Sequence, residues 1–154
     1  MILCQRHKRQ EVSKTNILKA IKDFFKECPL LDNGIIRAEY LGDKYDEYTI
    51  EVIPGNPVVK YYIDGSSERQ FTFAFGSREY YGEDDIENIN NSGFYEELAG
   101  WLEKMSIEDN LPKLGEGKSA RNIEAITPGY IYNAYGDSAR YQIQCRLTYF
   151  QEAI

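Results

Sequence analysis

The cleanest pattern in the chain is its last long run. From Ala139 to Phe150, Tyr141, Ile143, Cys145, Leu147 and Tyr149 alternate with Arg140, Gln142, Gln144, Arg146 and Thr148. A period of two puts the first set on one face of a strand and the second on the other. Shorter runs repeat the signal. Ile36, Ala38 and Tyr40 alternate with Arg37 and Glu39. Tyr48, Ile50 and Val52 alternate with Thr49 and Glu51. The polar turn Gly42 to Glu47 between them predicts a hairpin. Val58 to Ile63 is β-branched and aromatic, and Gln70 to Phe75 places Phe71, Phe73 and Phe75 on one face. Asp64-Gly65 is a turn signal, and Ser66 to Arg69 lengthens the bend. A further strand is predicted over Asn122 to Tyr132, bent at Thr127-Pro128-Gly129, with a turn at Asn133 to Ser138.

Two segments carry a helical period instead. Ile17, Ile21, Phe24, Phe25 and Cys28 fall on one side of a helix from Ser13 to Glu27, with Ser13 as its cap and Pro29 ending it. Phe94, Leu98, Trp101, Leu102 and Met105 form the stripe of a second helix over Ser92 to Met105, capped by Asn91 or Ser92. The polar, acidic stretch 83–92 reads as the approach to it, and Asp109 to Ser119 as a loop. The predicted fold is therefore α+β in the order αββββαββ. Hairpins make the sheet mostly antiparallel, and two helices pack on one face. Residues 13–154 form a single domain; residues 1–12 are an N-terminal extension that could be mobile.

Composition narrows the chemistry. The 154 residues carry a net charge of −7, which argues against a dedicated nucleic-acid binder and suits a surface that DNA passes without sticking. Three cysteines (Cys4, Cys28, Cys145) and one histidine (His7) supply no paired ligand spacing for zinc. Free thiols in a reducing cytoplasm, with no signal peptide and no membrane span, are the expectation. "GEGKS", Gly115 to Ser119, resembles the end of a phosphate loop, but Pro112 stands where the first glycine belongs and a strand follows. "GEDDIE", Gly82 to Glu87, breaks the calcium-loop alternation at Ile89. Neither a catalytic residue, a cofactor nor a metal is expected. Of the 13 tyrosines, most fit strand faces; Tyr45, Tyr80 and Tyr135 fall in turns or on polar faces and read as partner surface.

Four blocks, "YYIDGSSERQFTFAFGSREYYGED", "NNSGFYEELAGWLE", "LPKLGEGKSARNIEAITPGYIY" and "ARYQIQCRLTYF", carry a resemblance. Over Ile17 to Gln151 the chain resembles small phage and prophage proteins of Gram-positive bacteria that are labelled minor capsid protein or tail terminator. The resemblance implies a structural role without enzymatic activity. Such proteins form a ring, typically a hexamer, that caps the tail tube and offers the head a docking surface. Expected partners are other copies of the chain, the tail tube protein and a head-completion or connector protein. The expected location is the host cytoplasm during assembly, then the head–tail junction of the virion. A minor capsid or head–tail connector role is the alternative, and a small cytoplasmic enzyme or binding protein a more distant one. Candidate contact residues are Asp64, Ser66, Glu68 and Arg69 at the hairpin tip, and Tyr80, Tyr81, Tyr135 and Arg140 on the strands.

Overall fold

Two 14-residue strands set the frame of the molecule, one from the middle of the chain and one from its end. The computed structural model describes residues 16–32, 34–42, 45 and 47–154. The expected extension 1–12, the Ser13 cap, Cys4 and His7 lie outside the described residues. In chain order the elements are α1 (Ile17–Phe25), a 3-10 turn (Pro29–Leu31), β1 (Ile35–Ala38), β2 (Glu47–Val52), β3 (Val58–Tyr61), β4 (Ser67–Tyr80), α2 (Asp85–Ile107), β5 (Lys118–Ala125), β6 (Tyr130–Tyr135) and β7 (Ser138–Gln151). This is the α+β architecture expected from the alternation. Among the described residues, the only parallel neighbours in the seven-stranded sheet are β1 and β2.

The strands β4 and β7 pair antiparallel along their whole length, from Ser67 opposite Gln151 to Tyr80 opposite Ser138. Each long strand is flanked by two short ones laid end to end. On the β4 side these are β3 and β2, with β1 outside β2; on the β7 side they are β5 and β6. The predicted bent strand 122–132 is thus two strands. The break is held by Ile126 N–H donating to the Gln144 carbonyl (2.8 Å) and Gln144 N–H donating to Thr127 Oγ1 (3.0 Å).

The first predicted hairpin is corrected: β1 and β2 run parallel, with Ile35 opposite Glu47 and Ala38 opposite Ile50. After Ala38 the chain doubles back instead of turning directly into β2. Glu39 adopts φ 60° and its carboxylate accepts from Val52 N–H at 2.8 Å. Arg78 Nε, far along the chain, donates to the Gly42 carbonyl at 3.0 Å. These two bonds anchor Glu39 and Gly42, and β2 starts beside the start of β1.

Both helices pack on the same sheet face. Asn16 caps α1 by accepting from Lys19 N–H at 2.8 Å, and α1 buries Ala20, Ile21 and Phe25. Asp23 on its outer side pairs with Lys19 (2.7 Å) and Lys26 (3.5 Å); the Lys19 hydrogen bond is the main cause holding its carboxyl below the usual range. The second helix begins earlier than the pattern predicts. Asp84, not Asn91 or Ser92, is the cap, accepting from Ile86 N–H at 2.9 Å, and Asp85 and Glu87 then stabilise the first turn against the helix dipole. The acidic approach is therefore helix. Its buried stripe is Asn91, Tyr95, Leu98, Leu102 and Met105; Phe94 and Trp101 are only half-buried. The core between the layers gathers Phe25, Phe73, Phe75, Leu98, Leu102 and Ile143 without solvent exposure.

Candidate interaction surface

The eight candidate residues separate into two groups at opposite ends of the β4–β7 ribbon. A strand rises about 3.3 Å per residue, so a 14-residue pair places the groups roughly 40 Å apart. At the end marked by Gln151, residues 62–66 form the β3–β4 turn. Tyr62 N–H donates to the Ser66 carbonyl at 2.9 Å, and Gly65 takes φ 91°, a conformation open to glycine. Asp64 closes the turn by accepting from Ser66 N–H (2.9 Å) and Ser66 Oγ (2.5 Å), and the bond from the Ser66 side chain is the main cause lowering its pKa. Ser66 itself is buried.

Glu68 and Arg69 require correction. They are not at the hairpin tip but inside β4, half-buried, opposite Phe150 and Tyr149. Arg69 Nε donates to Ser67 Oγ at 2.9 Å. The residues that do project there are Tyr61, Tyr62 and Ile63, all exposed, with Tyr62 approaching Phe150 (ring centroids 6.4 Å). Their β-branched and aromatic character marks a strand in the sequence but does not tell that β3 lies at a sheet edge, paired among the described residues with β4 alone.

At the other end, Tyr80 is exposed and stacks on Tyr45 at 3.8 Å. Tyr81 is half-buried against the core, and its N–H donates to the Asp137 carbonyl at 2.9 Å. Tyr135 is 88% exposed at the end of the edge strand β6, beside exposed Ile131 and Tyr132. Arg140 is not a free contact. It lies on the sheet face away from the helices, with Glu51 Oε2 2.8 Å from its Nη2 and the Tyr132 ring 5.0 Å from its guanidinium. That ion pair lacks hydrogen-bond angles, and Nε and Nη2 are buried without a hydrogen-bond partner. Arg140 thus ties β2, β6 and β7 together on that face.

The same face carries further cross-strand pairs, Arg37–Glu47 (3.3 Å) and Arg146–Glu124 (2.5 Å), and a polar knot in which Gln142 and Gln144 donate to the Tyr130 hydroxyl at 2.7 and 3.0 Å. The edge of β5 is covered: Ser106 Oγ of α2 donates to the Ile123 carbonyl (2.7 Å) and accepts from Ile123 N–H (3.0 Å). Strands β3 and β6 have no such cover among the described residues, and an uncovered edge offers its backbone groups to another chain.

Cys28 and Cys145 are buried, and burial pushes both thiols up, away from the reactive thiolate. Among the described residues no group of three or more His, Cys, Asp and Glu is placed to hold a metal ion, and no helix is long and apolar enough to cross a membrane. Gly115 to Ser119 joins α2 to β5 and runs into a strand, the wrong context for a phosphate loop.

One acid is strained by its surroundings. Glu79 sits in β4 opposite Ala139, on the helix-covered face. Burial, chiefly, and the like charge of Glu87 push its carboxyl above the ordinary value of 4.5, while the Ser77 hydroxyl pulls it down. A raised folded-state pKa gives stability that is complete below the unfolded value and is lost as pH rises through the folded value. Glu79→Gln is therefore expected to raise Tm at neutral pH and to flatten the stability profile above pH 4.5. Thermal melts of both proteins from pH 4 to 8 check this; superimposable profiles would mean that Glu79 is solvated.

Neither a protein-family model nor a curated protein matches this chain.

Proposed function

We propose that this protein is a structural phage morphogenesis protein, a tail terminator that caps the tail tube as a ring and gives the head its docking surface. The observation that carries the reading is the placement of exposed aromatic and aliphatic residues at both ends of one stiff ribbon. Tyr61, Tyr62 and Ile63 mark one end and Tyr80, Tyr132 and Tyr135 the other. A joint needs two such surfaces facing opposite ways, one for the tube and one for the head. Tyrosine suits them, because it buries a large area while its hydroxyl keeps a polar partner. The sequence resemblance over Ile17 to Gln151 supports the same role. The net charge of −7 favours a lumen through which DNA passes without binding. The site of action is then the host cytoplasm during assembly and the head–tail junction of the virion afterwards, with no catalytic step.

Isolated tails mixed with the purified protein test the proposal. Electron microscopy is expected to show density at one end of each tube, and sedimentation velocity a closed species of about six chains, alone or after release from tubes. Binding to filled heads without binding to tubes would overturn the terminator reading in favour of a head–tail connector. No binding to either would overturn the morphogenesis role.

A further inference from the structure

The helix layer carries two complementary features that the ends of the sheet do not use. The first is a cleft of about 750 Å³ between α1 and α2. Its walls include Phe24, Trp101, Met105 and Leu111, with the Phe24 and Trp101 rings 4.8 Å apart and half-exposed. On its rim, Asp23 is already held by Lys19 and Lys26. Lys104 and Lys113 have no ion-pair partner among the described residues, and Glu27 is the one rim acid in the same condition, so the available charge is net positive.

The second feature lies at the opposite end of α2. Ile86 and Ile89 are 70% and 67% exposed, three residues apart and so on one face of the helix. Glu83, Asp85 and Glu87 lie within four residues of Ile86 along the chain, without an ion-pair partner among the described residues. An exposed aliphatic pair at an acidic helix end is the chemical complement of an apolar cleft with a lysine rim. Ile86 and Lys104 are 18 residues apart on one helix, roughly 27 Å at 1.5 Å per residue. One chain cannot bring them together. Two chains can, and the contact is head-to-tail, the kind that closes into a ring or runs on as a filament.

We infer that one copy of this chain docks on the next by inserting Ile86 and Ile89 into the cleft between α1 and α2, with Glu83 and Asp85 facing Lys104 and Lys113. The contact leaves both ends of the sheet free. It rests on the ring reading for its closure, and it names the subunit interface of that ring.

Two variants with substitutions at exposed positions test it. In the first, Ile86→Asp with Ile89→Asp removes the inserted pair and leaves the cleft. In the second, Lys104→Glu with Lys113→Glu reverses the rim and leaves the pair. Sedimentation velocity is run on each alone and on their equimolar mixture, with circular dichroism to establish that both fold. The wild type is expected to associate. Each variant alone should associate at least about tenfold more weakly. The mixture should form two-chain complexes and stop there, because each complex has one working contact and two dead ends. Association of either variant at wild-type strength overturns this contact and leaves a ring built some other way. A wild type that stays monomeric at roughly 100 μM, far above the Kd range of stable assemblies, also overturns it, and binding to tail ends then decides the terminator reading separately.

Discussion

Phe25→Ala is expected to lower folding stability by about 3–5 kcal/mol, enough to take most of the margin of an ordinary domain. Phe25 is fully buried and is the largest of the three side chains that α1 buries. Its ring stacks on Phe75 at 4.8 Å and meets Phe73 edge-on at 6.0 Å, two rings that stand side by side on the central strand β4. On its other side Phe24 meets it edge-on at 5.4 Å, and the Trp101 ring of α2 lies 5.8 Å away. Truncation leaves a cavity at a meeting point of three elements, where no single side chain can relax into it. Urea unfolding should show a lower midpoint with an unchanged slope if α1 stays docked, and a smaller slope if α1 detaches and the native state already exposes its surface. Phe24→Ala, at a half-buried position, should cost clearly less. A loss below about 1 kcal/mol for Phe25→Ala would mean that the aromatic cluster does not form as described.

The elements that could be read from the sequence are those whose neighbours all act through one simple pattern. β7 sits in the sheet between β4 on one side and β5 and β6 on the other, has the helices on one face and water or polar side chains on the other, and its alternation states this directly. The start of β4 was hidden by its chemistry. Ser66, Ser67, Glu68 and Arg69 look like a loop, yet three of them are strand residues and both serines are buried, because their polar groups are bound locally. Between β1 and β2, Arg78 reaches Gly42 across 36 positions, a contact no local pattern encodes. For α2, the capping chemistry was present at Asp84 but masked by the richer polar run that follows it.

The candidate surface was legible to a lesser degree, and for a reason specific to sheets. Tyr80 and Tyr135 stood out because they fell in turns. Tyr61, Ile63, Ile131 and Tyr132 did not, since a β-branched or aromatic residue in a strand looks the same whether the strand is central or at an edge. Only the strand order shows that, among the described residues, β3 and β6 each have one unpaired side. Arg140 shows the converse: an arginine on a polar face suggests a partner, but Glu51 and Tyr132 already occupy it.

Gly129→Ala is expected to destabilise the fold by about 1–3 kcal/mol, although glycine to alanine outside a special backbone conformation ordinarily stabilises by about 0.4–1 kcal/mol. The reason is the seam between α2 and the sheet. A Cβ on Gly129 would lie 2.4 Å from Cβ and 2.5 Å from Cγ of Tyr95. Those atoms sit at the root of the side chain, so the clash moves the helix or the β5–β6 connection and not a flexible tip. Tyr95 has little freedom to yield. It is almost wholly buried, its hydroxyl lies 2.6 Å from Ser77 Oγ and donates to the Tyr141 carbonyl at 3.1 Å, and its pKa is pushed far up by burial. Shifting α2 would therefore break hydrogen bonds in a place with no water to replace them. Gly100→Ala supplies the contrast. It lies in the same helix with open space around its missing Cβ, so alanine there should stabilise by about 0.5–1 kcal/mol. Opposite signs for the two substitutions in urea unfolding would establish that Gly129 is required by contact with Tyr95. Equal, stabilising effects would mean that the connection between β5 and β6 stands farther from α2 than described.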